Sequence, residues 1–205
     1  MPMPLARLAL VLLALASISP ALAKGPPHAL PDWPCDTPFA GPLEPAMLWP
    51  GAGAPEGDWR ADAAARELVD FLTASENSPA MGEQEIADYT EKHGPLPQAT
   101  VLHIVAGMVD RGNLLRRTLL KGIKDQIIRS HVLADAVAEN TNAIATAEQQ
   151  GQGKADLAAL TEARRQNLNG LDDAGDTAEH LCTRLVYDET KLRRLAAALK
   201  AHMAN

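Results

Sequence analysis

The residues best suited to chemistry are six histidines, two cysteines and several neighbouring carboxylates. The histidines stand at 28, 93, 103, 131, 180 and 202, and none has the HxxxH or ExxH spacing that sets two ligands on one helix face. A chain that folds back on itself brings His103 close to His202, with Met108 in the vicinity. Such soft and borderline donors would suit copper or a similar metal. The plainer reading is two histidines meeting at the base of a hairpin above a core methionine. Asp176 and His180 lie four residues apart and could chelate one ion, but Lys121 and Lys124 fall opposite them, which favours an ion pair. Glu83 with Glu85, and Asp172 with Asp173, are neighbouring carboxylates. Glycoside hydrolysis needs two such groups across a cleft. These pairs instead sit at a helix start and at a candidate helix break, where acids are favoured anyway. There is no GxSxG, no serine with a positioned histidine and aspartate, and no phosphate-cradling glycine loop. The residues therefore predict no catalytic set and no cofactor, and a protein that is not an enzyme.

The cysteines need a compartment before they can be read. Residues 1–23 have the layout of a cleavable secretory signal: Arg7, an apolar run from Leu8 to Ile18, and Ala21-Leu22-Ala23 as the cleavage site. The apolar run is shorter than the roughly 20 residues that span a bilayer. The reading is thus an exported, periplasmic protein beginning at Lys24, with no stable membrane insertion after cleavage. In an oxidising compartment Cys35 and Cys182, the only two cysteines, are expected to pair. The bridge would close a loop of about 150 residues, for which chain entropy gives about 4–5 kcal/mol. No CxxC motif is present, and His180 lies two residues from Cys182, on another helix face.

Residues 24–58 hold nine prolines, a density that predicts an extended strap without helix or central strand. The disulfide would pin that strap, and Trp33, Trp49 and Trp59 would anchor it by packing. An exposed tryptophan gripping a partner is the alternative.

Alanine and leucine dominate, and aromatic residues make up only 3%, which favours helices over a sheet core. The helical domain is expected over 59–205. Asp58 is the candidate cap of a helix from Trp59 to about Ala74, with Ala61, Ala64, Ala65, Leu68, Phe71 and Leu72 on one face. Ser78-Pro79 caps a second helix to about His93 that buries Ile86 and Tyr89, and Gly94-Pro95 ends it. From Pro97 to about Gln149 apolar residues recur at helical steps, and Gln149-Gln150-Gly151-Gln152-Gly153 reads as a turn. After Lys154, leucines recur in two seven-residue series, through Leu157, Leu171, Leu185 and Leu199 and through Leu160, Leu181 and Leu195. The fold class is therefore all-α: a long antiparallel, coiled-coil-like hairpin over 97–203, two short helices and the strap. Fold-back near 151–152 makes residue i face about 303 − i, so Leu185 meets Leu119 and Leu199 meets Ile104. Near Gly170 and Gly175, the run Asp172-Asp173-Ala174-Gly175-Asp176 leaves both a kink and a continuous helix open. Pairing of the seam between two chains, which would make a homo-oligomer, is also open.

Net charge is −7 for the whole chain, which argues against nucleic-acid binding. The charge is uneven. Residues 24–110 carry 4 basic and 14 acidic groups, whereas 111–131 carry six basic groups and one acid. Arg111, Arg116, Arg117, Lys121 and Lys124 are thus a candidate face for an acidic protein partner. Neutralisation within the chain is the alternative.

Trp33-Pro34-Cys35, the later Leu48-Trp49-Pro50-Gly51 and the single late Cys182 resemble a group of uncharacterised exported bacterial helical proteins with an N-terminal WPC motif and a following W-x-G element. The resemblance spans most of the chain after residue 23 and implies the strap and the disulfide, but no catalytic residues. Leu160-Thr161-Glu162-Ala163-Arg164 also begins like the L-T-x-x-Q repeat of periplasmic hairpin chaperones. Arg164 stands where the glutamine would be, so only an architectural analogy follows. The functional expectation is a non-enzymatic exported accessory or scaffold protein that binds another protein through its hairpin. A metal or small-ligand carrier using His103, Met108 and His202 is the alternative.

Overall fold

The computed structural model describes residues 33–36, 41–51 and 53–204; the signal-like segment lies outside them. The elements, in order, are α1 (Pro45–Leu48), a 3-10 turn (Trp59–Ala61), α2 (Ala63–Thr73), α3 (Pro79–His93), α4 (Gln98–Gln149) and α5 (Lys154–Ala201). The architecture is all-α, and α4 and α5 form the antiparallel hairpin, each arm about 75 Å long at 1.5 Å per residue. Gly151 makes the turn with φ +65°, a conformation that favours glycine. The arms meet in the expected register. Side chains lie against the glycine backbone where Leu192 meets Gly112, Leu181 meets Gly122 and Leu133 meets Gly170, index sums of 303 or 304. α5 runs unbroken through 170–176, and Ala174 is fully buried in the seam. Its small side chain at the interface leaves no need for a break.

Two sequence expectations are corrected near the N-terminus. The strap is not free of helix. Pro45 sits in the first turn of α1, where a missing N–H costs nothing, and the Trp49 amide donates to the Pro45 carbonyl. The next helix does not start at Trp59. Asp58 instead caps a short 3-10 turn through the Arg60 amide, and Asp62 caps α2 by accepting from the Ala65 amide at 3.1 Å. The turn has a tertiary cause: it delivers the Trp59 indole N–H to Asp110 on α4, 2.9 Å away.

The small elements gather at the base of the hairpin. α2 packs on α4 where Gly107 lets Val69 and Trp59 approach the helix backbone. α3 packs on α5 where Gly82 lies under Leu195 and Leu72. Leu68, Leu72, Ile86, Ile104, Met108, Leu195 and Leu199 are fully buried there, with Trp49 joining them. Lys191 is buried too: its Nζ donates to the carbonyls of Ala74 (2.7 Å) and Asn77 (2.6 Å), satisfying acceptors beyond α2. Leu96 and Met203 bridge in parallel and close the base.

A second, smaller cluster sits further along the arms. Cys35 and Cys182 form a disulfide, S–S 2.02 Å, beside Leu119, Ile123 and Leu185, with Trp33 packed on the group. Leu43 is held by Asn113 through both its N–H and its carbonyl. The strap thus covers the α4–α5 seam up to about residue 123. Beyond that level, among the described residues, only Ala147, Ala174 and Ala178 are buried away from the disulfide. Among the described residues, the outer arm is a two-helix hairpin with no third element packed on it.

Candidate docking surface on the hairpin arm

The surface follows from helix geometry. Positions 112, 119 and 123 of α4 face α5. Residues half a turn away, at steps of three and four, must face outward. That outward row is Leu114, Arg117, Lys121, Lys124, Ile128 and Val132, and all six are exposed. Ile128 is 63% and Val132 62% accessible, so two large apolar side chains stand in water. The row therefore mixes cations with large apolar side chains, which is the make-up of a contact surface rather than of a purely solvated face. Lys121 pairs with Asp125 one turn on at 2.6 Å; both groups are mostly in water, so the pair holds the lysine only weakly.

Not all of the basic stretch belongs to this surface. Arg116 is only 5% accessible and forms an ion pair with Glu189 of α5. Burial pushes its guanidinium pKa below the ordinary value. It is a seam residue, and the expectation that it faces a partner is corrected. Arg111 is exposed but turned to the base, where it donates to Asp70 of α2 at 3.0 Å. Arg117, Lys121 and Lys124 lie on the outward row and are exposed. The apolar members Leu114, Ile128 and Val132 were missed by sequence reasoning, which followed only the apolar row of the hairpin seam. Their signal was available as a second apolar row offset by half a turn.

The histidines are placed otherwise than a metal centre requires. His103 bonds Asp62 through Nδ1 (3.2 Å) and the Glu56 carbonyl through Nε2 (2.9 Å). His202 shares its Nδ1 with the Thr90 hydroxyl at 2.9 Å, and Met108 is fully buried in the main core. The three residues have separate partners. Among the described residues no group of three or more histidine, cysteine, aspartate or glutamate side chains could hold an ion. Trp49 and Trp59 are buried and Trp33 is half-buried, so all three pack on the helices.

His103 carries a pH dependence. Both ring nitrogens face acceptors, the Glu56 carbonyl first and Asp62 second, and these raise its pKa above the ordinary 6.5. A raised folded-state pKa gives stability that is complete below the unfolded value and is lost as pH rises through the folded one. The thermal midpoint of the native protein, measured against His103→Gln, is expected to fall as pH rises from below 6.5 through the raised folded-state value. Parallel curves for the two proteins would contradict this.

No protein-family model, curated protein or solved structure matches the chain, so its function is read from its own geometry. No helix among the described residues is long and apolar enough to cross a membrane.

Proposed function

We propose that the protein is a non-enzymatic, exported periplasmic scaffold that docks another protein along the outward row of α4. One observation carries this reading: the arm bears Leu114, Ile128 and Val132 in the open beside Arg117, Lys121 and Lys124, where none of them serves the core. Large exposed apolar side chains flanked by one sign of charge mark a surface that buries against a partner of the opposite sign. The disulfide supports the exported setting, because such bonds persist in oxidising compartments. The strap and small helices stiffen the base, and the bare arm reaches away from it.

The reading is tested with a photo-reactive residue at Val132 and a control at Thr190, both exposed positions, in the exporting cell. Position 132 is expected to give a discrete polypeptide adduct that position 190 does not. Reversing Arg117, Lys121 and Lys124 to glutamate should cut that adduct at least about tenfold, as three lost charge pairs imply. Equal labelling at both positions, or an adduct indifferent to the reversal, would sink the assignment.

A further inference from the structure

The outward row of α4 asks for an antiparallel helix with acids at matching steps and an apolar residue at one end. Such a helix is present in the chain itself. On the outward side of α5, Glu179, Asp176 and Asp172 are exposed and follow one another at steps of three and four, and Leu168, 43% accessible, continues the row. Asp36 of the strap borders the same depression as Asp172, Asp176 and Glu179, adding a fourth acid. The α4 row runs Arg117, Lys121, Lys124, Ile128 at steps of four, three and four.

We infer that a second copy of this chain is the occupant: the α4 row of one molecule docks antiparallel on the α5 row of the next, Arg117 to Glu179, Lys121 to Asp176, Lys124 to Asp172 and Ile128 to Leu168. The inference rests on the docking reading above and names its partner. Its warrant is register. The four pairs have index sums of 296 or 297, so a single axial setting satisfies all of them together. That setting differs from the intramolecular sum of 303 or 304 by seven residues, an axial slide of about 10 Å, or two helical turns. Three charge matches and one apolar match, on rows whose registers agree to within one residue, give both attraction and alignment. The contact pairs two different rows of the chain, one from each molecule.

The test is sedimentation velocity on the purified, oxidised exported protein. At about 50 mM salt the average mass should rise with concentration, and at about 500 mM, where exposed charges are screened, it should return towards the monomer. Two triple variants are then compared: Arg117→Glu, Lys121→Glu, Lys124→Glu, and Asp172→Lys, Asp176→Lys, Glu179→Lys. Each alone should associate about tenfold more weakly or worse, and an equimolar mixture should recover association, since the reversed rows complement each other. Ile128→Ala should weaken association while leaving every charge in place. A native protein that stays monomeric at low salt, or a mixture no better than its components, overturns the inference. If that happens while position 132 still cross-links to a different polypeptide, the second copy falls and the docking reading stands. If no polypeptide is captured at position 132, both fall.

Discussion

Replacing both Cys35 and Cys182 by serine will produce the largest loss of stability of any surface-neutral change. The bond ties two residues 147 positions apart, and a loop that long costs the cross-linked unfolded chain about 5 kcal/mol of entropy. For a chain of this size that corresponds to a fall of at least about 10 °C in the thermal midpoint. The effect should also be local. Residues 33–36 and Leu43 of the strap are held by the bond, by the Asn113 bonds to Leu43 and by Trp33 on the second cluster. Without the bond, amides there should exchange faster by orders of magnitude, whereas those at the outer end of α4 and α5 keep their rates. Thermal unfolding and hydrogen exchange of the variant check both parts. A midpoint unchanged from the native protein would show that the strap is fixed without its pin.

The second large effect separates the base from the arm. Leu195 is fully buried between α3 and α5 and reaches the backbone at Gly82. Leu195→Ala removes that packing and leaves a cavity in the main core, at a cost of about 3 kcal/mol. Ile128→Ala removes more solvent-exposed apolar surface than core contact, because Ile128 is 63% accessible. Its cost should stay within about 0.5 kcal/mol, and alanine's helix propensity offsets part of it. Denaturant unfolding of the two variants measures the contrast directly. Similar losses in both would mean that Ile128 supports the fold and is not held in reserve for a contact.

Much of this architecture could be read from residue order, for identifiable reasons. The turn at 149–153 and the heptad leucines set the hairpin and its register within one residue, because both are local or strictly periodic signals. Ser78 could be recognised as a cap because Pro79 follows it, and its hydroxyl does accept from the Met81 amide. The choice between Asp58 and Asp62 could not be made locally. Both are aspartates before an alanine-rich run, and the deciding contacts, Trp59 to Asp110 and His103 to Asp62, span 51 and 41 residues. The candidate surface was half legible. Arg117, Lys121 and Lys124 stood out by charge, but Arg116 carried the same charge and is buried. What separates them is angle about the helix axis, and Glu189, opposite Arg116 in the hairpin register, was the missing clue. Lys191 misleads in the same way: burial lowers its pKa, while two backbone carbonyls hold its Nζ.

These elements make one physical division. The base spends most of its large apolar residues on its own core and on the strap, though Met47 and Met81 stay exposed, and the arm leaves Ile128, Val132 and Leu168 in water. Native mass spectrometry of the protein recovered from its own cells without reducing agent tests that division most directly. A species two protons lighter than its reduced mass and bound to a polypeptide, a further copy of itself above all, is the predicted result. A solitary chain carrying a metal ion or small molecule, with no polypeptide at any concentration, would contradict it.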